Sequence, residues 1–338
     1  MRTSTLFEFL AGRGDRVISP LVAAICISAA AIAIGCSGGS SKSSTTGTTS
    51  TNQYVTAYKA AAWGSTVTVS YPSSCEMTIK TTGKPDYTPN PYYLAPASGT
   101  DAVVAYTAQT KTPLALISYA TDIEPSLQGS SATINVCATK ATSTTATGVG
   151  AIGYLISGTA MFNPFEMDQS TPAVADNGSY SFTDSTGTKQ TAYFLDQCDS
   201  HSNGSTWHGH GNPNCVTAQV DTSTGPSHII GVALDGFPIY GGRDINGNVI
   251  AVTQLDACNG ITSATPEFPN GAYHYVLPIG VTNKYASINC FSGTVSEQTL
   301  ASAKKLACNM KTMFAMIHKR RKEGEDVAGM TMPDGMRM

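Results

Sequence analysis

Three of the six histidines in the chain lie close together, at positions 201, 208 and 210. On a β-strand, residues two positions apart project to the same face, so His208 and His210 can present imidazole nitrogens to one ion. Zinc and copper accept such nitrogens at about 2.0–2.1 Å. His201, across a polar turn, can add a third ligand. This spacing predicts a transition-metal site, and the alternative is that the rings only pack and hydrogen-bond between strands.

Three further residues are candidate members of the same site. His274 lies in a second histidine segment and could supply a fourth ligand. Asp196 and Asp256 precede the two histidine segments at comparable places. A carboxylate there can bind the ion directly or orient an imidazole by accepting its second N–H, and we favour the orienting role.

An internal duplication organises these residues. The segment IGYLISGTAMF at 152–162 parallels IGVALDGFPIY at 230–240, and each copy is typical of a strand, a tight turn and a second strand. Asp196-Gln-Cys198 parallels Asp256-Ala-Cys258. WHGH at 207–210 parallels YHYV at 273–276. The pattern predicts two related units whose histidine segments face a common place.

Three segments resemble the signature blocks of the YHYH protein family: LDGFPIYG at 234–241, LDACNG at 255–260 and AYHYV at 272–276. The resemblance covers roughly residues 150–293 and implies an exported protein with this architecture. It implies no particular activity, because the family is named for an aromatic-His-aromatic-His motif. Two positions depart from the motif. Val276 replaces the closing histidine of the second unit, and Gly209 replaces the aromatic residue of the first.

The first 52 residues indicate export. Two arginines precede an uncharged run from Val17 to Ile34, which predicts a signal peptide over residues 1–35. The sequence Ala-Ile-Gly-Cys ending at Cys36 is similar to a bacterial lipobox, so Cys36 is the expected lipid anchor, followed to residue 52 by a Ser/Thr/Gly tether. About 18 apolar residues can instead remain as an uncleaved membrane helix. Either topology places the rest outside the cytoplasm, joined to the membrane at its N-terminal end.

Export implies an oxidising compartment, in which cysteines pair rather than stay reduced. The candidate disulfides join Cys198 to Cys215, Cys258 to Cys290 and, as a weaker third pair, Cys75 to Cys137. In the chain-entropy model each short-loop bridge stabilises the fold by roughly 3 kcal/mol. Thiolate ligation is the alternative, but the chain has no CxxC motif. Cys308 is left as the odd thiol.

The remaining patterns predict a mainly β fold. Segments 67–71, 76–80 and 132–140 alternate apolar and polar residues, as half-buried strands do. The prolines of KPDYTPNPYYLAP at 84–96 predict an edge strand or a loop, and no helical period appears before the C-terminal end. We therefore expect a disulfide-stapled, sandwich-like β-rich domain, with an N-terminal region at 53–149 and the duplicated core at 150–293.

Residues 294–338 have the composition of an amphipathic helix followed by a Met-rich tail. Thioethers favour Cu(I), so this tail favours copper over zinc as the bound metal, although methionines on a helix also pack without any ligand role.

The function expected from the sequence is that of an exported lipoprotein that binds copper or zinc. The alternatives are a metal-dependent hydrolase, with Asp196 or Asp256 as a base, and a surface module for recognition or adhesion. Because the formal net charge is -3 and charged residues make up 13% of the chain, no basic field exists to hold nucleic acid, and the protein partner is left unspecified.

Overall fold

Short strands joined by tight turns make up most of the computed structural model. The structure describes these parts of the chain: residues 52–96, 102–106, 113–166, 169–175, 178–203 and 205–296. They belong to one compact unit that begins at Ser50. The mainly β fold expected from the sequence is confirmed.

Two α-helices are present in the described residues, α1 at Gln53–Ala60 and α2 at Asn214–Val220. Shorter turns of 3-10 helix lie at Glu124–Ser126, Ala173–Ala175 and Val252–Gln254, and a π-helical turn lies at Tyr119–Ile123. The strands are β1 Val67–Ser70, β2 Glu76–Thr81, β3 Tyr92–Pro96, β4 Ala102–Tyr106, β5 Pro113–Ser118, β6 Ser130–Asn135, β7 Lys140–Ala146, β8 Ala151–Leu155, β9 Ala160–Phe162, β10 Ser179–Thr183, β11 Lys189–Tyr193, β12 Ser200–Ser202, β13 Trp207–Gly209, β14 Ile229–Ala233, β15 Pro238–Tyr240, β16 Gly260–Ser263, β17 Ala272–Val276 and β18 Cys290–Gly293.

The duplicated core forms one eight-stranded sheet with the order β12-β13-β9-β8-β14-β15-β17-β16. From the centre outward, each half runs through an antiparallel hairpin, a parallel pair and an antiparallel edge pair. The two halves meet where β8 and β14 pair antiparallel, with Tyr154 opposite Val232. These two residues are equivalent in the repeat, so the sheet has a local two-fold axis at this pair. The predicted duplication is confirmed by this arrangement.

The tight turns of the two hairpins depend on equivalent glycines. Gly158 has φ +83° and Gly236 has φ +85°, a left-handed backbone that residues with a Cβ adopt only at a cost. A Cβ at Gly236 would also overlap the carbonyl oxygen of Asn135. Both the backbone angle and the packing against Asn135 therefore require glycine at position 236.

We expect Gly236→Ala to lower the free energy of unfolding by about 3–4 kcal/mol, because the unfavourable backbone angle and the overlap with Asn135 add. Gly187→Ala is the matched control, since Gly187 has φ +86° and a Cβ there would meet no atom within 4 Å. The control should lose only the backbone contribution of about 1–2 kcal/mol. Denaturant unfolding of both variants measures the difference, and equal losses would contradict the packing argument.

Helices α1 and α2 both precede the C-terminal end, although no helical period was found there in the sequence. Asn52 caps α1 by accepting a hydrogen bond from the backbone N–H of Tyr54. Tyr54 and Tyr58 lie one turn apart on the buried face, and the Tyr58 hydroxyl donates to the carbonyl of Gly236 at 2.8 Å. Two turns are too short for a helical period to stand out in the sequence, and packing against the core stabilises the helix.

Strand β3 corrects a second expectation. The segment rich in proline was predicted to be an edge strand or a loop, yet β3 is the third strand of a five-stranded sheet with the order β10-β11-β3-β5-β4. The prolines at 85, 89 and 91 precede the strand and Pro96 is its last residue, so residues 92–95 keep their N–H groups for pairing.

One hydrophobic core joins the N-terminal elements to the duplicated sheet. Buried side chains from α1, β2 and β6, such as Tyr58, Met77 and Ile134, belong to the same cluster as those of the eight-stranded sheet. The sheet β1-β2-β6 and the eight-stranded sheet thus share one core, in agreement with the predicted sandwich-like packing. Trp207 of β13 packs separately against Tyr93 of β3, with ring centroids 5.2 Å apart, and so joins the five-stranded sheet to the histidine segment.

All three predicted disulfides are confirmed: Cys75–Cys137, Cys198–Cys215 and Cys258–Cys290. The C-terminal helix, Cys308, the Met-rich tail, the signal peptide and Cys36 lie outside the described residues. Among the helices of the described ranges, none has the length and apolar character that crossing a membrane requires.

Candidate metal centre

Backbone pairing brings the three clustered histidines together. Strands β12 and β13 pair antiparallel with His201 directly opposite His208. His210 follows β13 by one residue, and its N–H donates to the carbonyl of Asp199 at 2.9 Å. Each histidine offers one ligand atom, and the three atoms lie within 4.8 Å of one another. The sequence prediction that these three residues share a site agrees with this geometry.

The ring positions suit coordination of one ion. Ring centroids are 4.6 Å apart for His201 and His208, 5.2 Å for His201 and His210, and 4.9 Å for His208 and His210. The Nε2 atoms of His201 and His210 are 3.2 Å apart. Two nitrogens at that separation, each about 2.05 Å from an ion, subtend about 100° at the ion, which is close to the tetrahedral angle.

Backbone carbonyls set the tautomers of two of the imidazoles. His208 Nδ1 lies 3.0 Å from the carbonyl oxygen of Thr206, and His210 Nδ1 lies 2.7 Å from that of Asn163. A carbonyl only accepts, so both Nδ1 atoms carry the proton and both Nε2 atoms keep a lone pair. Fixing the second nitrogen in this way orients a metal ligand.

Two phenylalanines wall the cluster. Phe162 stacks on His208 with centroids 3.9 Å apart and meets His210 edge-on at 5.9 Å, while Phe194 meets His201 edge-on at 5.1 Å. His208 and His210 are each 3% exposed, whereas His201 is half-buried. The aromatic rings therefore lie against all three imidazoles, and His208 and His210 are the more completely buried of the three.

This burial shifts the protonation of all three rings. Burial, followed by the charges of neighbouring histidines, lowers the pKa of His201 and of His208 well below the usual value of 6.5. Burial likewise lowers the pKa of His210 to about 4. At neutral pH the imidazoles are therefore uncharged, which is the form that binds a metal.

Asp196 and Asp256 hold turns instead of orienting imidazoles, which corrects the role that we favoured from the sequence. Asp196 Oδ1 accepts the N–H groups of Cys198 and Ser200 at 2.8 and 3.0 Å. Asp256 Oδ1 accepts those of Cys258 and Gly260 at 3.0 and 2.8 Å. A short carboxylate two residues before a turn readily makes such bonds, which are local and independent of any metal. Burial raises the pKa of Asp196 to about 7.

We expect Asp196→Ala to lower the free energy of unfolding by about 2–4 kcal/mol, because two buried N–H groups lose their acceptor. Metal affinity should fall as well, because the turn that Asp196 holds leads directly into His201. The control is Asp256→Ala, which removes the equivalent bonds together with the contacts of Asp256 Oδ2 to the Tyr273 hydroxyl at 2.9 Å and to Lys140 at 3.5 Å. The Asp256 side chain is 37% exposed, so water can replace these partners. Its loss should be about 1 kcal/mol, with unchanged metal affinity. Unfolding and metal titration measure both quantities, and equal effects would contradict the assigned role of Asp196.

The structure does not bring His274 to the three-histidine cluster. His274 lies on β17, and β9, β8, β14 and β15 separate that strand from β13 in the sheet. Five strand spacings correspond to about 24 Å along the sheet. The prediction that both histidine segments face one place is therefore wrong, because the two-fold axis lies at the central strands and directs each segment to its own side. The His274 ring instead faces Tyr240, with centroids 4.7 Å apart.

The loop around the site is covalently closed, as the sequence suggested. Cys198, two residues before β12, is bonded to Cys215 in α2. All three clustered histidines lie between these cysteines, so the disulfide limits how far β12 can move from β13.

Several residues that shape the site were not identified from the sequence. Phe162 is the last residue of the first repeat segment and has no polar group that would mark it as part of a metal site, and Asn163 and Thr206 act through their carbonyls, which leave no residue-type signal. Asp199 has φ 51°, a left-handed conformation that Asp and Asn tolerate, and its equivalent in the repeat, Asn259, has φ 67°. The occurrence of Asp or Asn at this repeated position is the one sequence feature that could have indicated the left-handed turn beside the site.

Comparison with known proteins identifies the duplicated core. The family model described as YHYH protein matches residues 131–248 and 244–293. No curated protein and no solved structure matches the chain. The matched residues include the eight-stranded sheet and all of the clustered histidines. Through residues 131–293, the chain belongs to the YHYH protein family.

Proposed function

We propose that the protein binds one transition-metal ion, copper or zinc, at His201, His208 and His210 in an extracytoplasmic compartment. The observation that carries the proposal is the convergence of three uncharged imidazoles whose ligand atoms lie within 4.8 Å of one another. The Nε2 atoms of His201 and His210 lie 3.2 Å apart, a separation that also suits a hydrogen bond between two neutral imidazoles, and the Cys198–Cys215 disulfide closes the loop that holds both rings. The three disulfides support the extracytoplasmic location. The proposed anchorage through Cys36 rests on the lipobox-like sequence that ends there.

The donor set supports a borderline transition metal. Three imidazole nitrogens suit zinc and Cu(II), whereas calcium and magnesium require oxygen ligands. Copper remains the favoured metal because the Met-rich C-terminal sequence offers thioethers, the ligands that Cu(I) prefers.

The experiment is metal analysis by mass spectrometry on the full-length chain, purified in detergent without an affinity histidine tag and after incubation with copper, zinc or both. We expect close to one ion per chain, with copper retained in competition. If zinc rather than copper is retained in the competition, the metal is assigned as zinc. Protein that stays free of metal after reconstitution would overturn the proposal.

Metal-assisted hydrolysis is the second candidate function. The cluster contains three protein ligands and, among the described residues, no carboxylate or thiolate, which leaves a coordination position for water and leaves the charge of the ion uncompensated. The zinc-loaded protein should then hydrolyse an activated ester faster than the metal-free protein does. Equal rates would exclude this candidate and leave metal binding intact.

A recognition or adhesion surface has less support. Such a surface would present exposed aromatic side chains, whereas Trp207 is 1% and Tyr275 is 0% exposed. Both side chains are buried in the core and so present no aromatic surface to a partner.

A further inference from the structure

The second unit repeats the framework of the metal site in detail. In the first unit His201 pairs with His208 across two antiparallel strands, and in the second unit Ile261 pairs with His274 in the same way. Val276 is equivalent to His210 in the repeat. The two positions that lack an imidazole in the second unit are therefore 261 and 276.

Two hydrogen bonds of the first framework have direct counterparts in the second. The N–H of His210 donates to the carbonyl of Asp199 at 2.9 Å, and the N–H of Val276 donates to that of Asn259 at 2.9 Å. His274 Nδ1 lies 3.0 Å from the carbonyl of Ala272, two residues earlier, as His208 Nδ1 lies 3.0 Å from the carbonyl of Thr206. The orientation and the tautomer of His274 are thus those of a metal-ligating histidine.

Burial and ring packing correspond as well. His208 and His274 are 3% and 2% exposed. His201 and Ile261 are both half-buried, and His210 and Val276 are both buried. Tyr240 faces His274 as Phe162 faces His208, and the Tyr240 hydroxyl is engaged by Glu267 and Thr265.

We infer that the second unit holds a vacated copy of the metal site, and that positions 261 and 276 alone determine that the first unit binds an ion and the second does not. The inference rests on the proposed function of the first site. It assigns His274 a structural role in this chain, and it limits the two units together to one ion.

The repeat also predicts an acceptor for the missing third imidazole. In the first unit, His210 Nδ1 donates to the carbonyl of Asn163, the residue after Phe162. Gly241 follows Tyr240 at the equivalent position of the repeat, so we expect its carbonyl to accept from a histidine at 276. The Cys258–Cys290 disulfide closes the second unit beside β16, as Cys198–Cys215 closes the first beside β12.

The test restores the second site while the first is disabled. Full-length protein with His208→Ala/His210→Ala should bind no zinc at the core, and adding Ile261→His/Val276→His should restore about one zinc ion per chain. Zinc is the probe because the thioethers of the C-terminal sequence favour Cu(I). The converse variant, His201→Ile/His210→Val, gives the first unit the residues of the second and should fold while losing zinc.

The histidine at position 276 is larger than valine and enters a packed core, so the four-residue variant could fail to fold. A second variant without this change therefore keeps the test decisive. Ile261→His on the same disabled background changes only a half-buried position and creates a pair of imidazoles with His274. This variant should bind zinc at least tenfold more weakly than the wild-type site does, but more strongly than the His208→Ala/His210→Ala protein does.

The outcomes separate this inference from the function on which it rests. Wild-type protein without zinc or copper would overturn the proposed function. Wild-type protein with one ion, together with folded variants carrying Ile261→His that bind no more zinc than the disabled background, would overturn the inference alone. Wild-type protein with two ions bound, one of them lost in His274→Ala, would overturn it as well.

Discussion

Replacing His208 and His210 by alanine is expected to abolish stabilisation of the protein by metal. An ion that binds only the folded state at one hundred times its dissociation constant stabilises that state by about 2.7 kcal/mol. For a domain of this size the gain corresponds to a rise of roughly 5–10 °C in Tm. Because the double variant keeps at most one imidazole of the cluster, added copper or zinc should leave its Tm unchanged.

The matched control for this variant is His274→Ala. His274 is as deeply buried as His208 and makes the same Nδ1 contact with a carbonyl two residues earlier, but it belongs to the other half of the sheet. Its replacement should lower the Tm of the metal-free protein and leave the metal-induced rise intact. Thermal unfolding with and without metal distinguishes the two variants, and a full rise in the double variant would show that the ion binds elsewhere.

Acid is expected to destabilise the metal-free protein through the same three histidines. Their pKa values are lowered in the folded state, so the unfolded chain binds more protons as the pH falls below the ordinary histidine pKa of 6.5. The contribution of these histidines to stability is therefore greatest above pH 6.5 and decreases as the pH falls toward their folded-state pKa values. The carboxyl groups of Asp196 and Asp199, whose pKa values burial raises to about 7 and about 6, contribute in the opposite direction, so the histidine effect is read from the difference between wild type and a histidine variant. For His210, whose pKa is about 4, the loss is on the order of 3 kcal/mol.

Denaturant unfolding at several pH values between 7.5 and 4.5 measures this effect. His201→Asn/His210→Asn replaces two of the titrating rings by uncharged amides, so its stability should depend on pH less steeply than that of the wild type. Parallel curves for the two proteins would contradict the assignment. Saturating metal should shift the onset of acid unfolding of the wild type to lower pH, because the ion and protons compete for the same nitrogens.

The sequence was most informative where residues relate to one another through a repeat. The paired segments at 152–162 and 230–240 predicted two hairpins, and the structure contains them with glycines of positive φ at equivalent positions. The pairing of Cys198 with Cys215 and of Cys258 with Cys290 was predicted because each bridge closes a short loop around a histidine segment. The clustering of His201, His208 and His210 followed from strand geometry over a short stretch of chain.

Relations across the sheet could not be predicted in this way. The repeat shows that His208 and His274 are equivalent but not which strands lie at the two-fold axis, and that choice places the two rings far apart. The roles of Asp196 and Asp256 were missed for a related reason. Their carboxylates bind N–H groups only two and four residues later, so a metal was not needed to explain them.

The order of strands in the large sheet also bears on how the protein avoids self-association. Its two outermost strands, β12 and β16, have only three and four residues, and a disulfide-bonded cysteine lies two residues before each of them. Exposed strand edges are templates for pairing between chains, and short, firmly held edges resist it. We therefore expect reduction of these two cysteine pairs to loosen both edges together and to increase edge-to-edge aggregation.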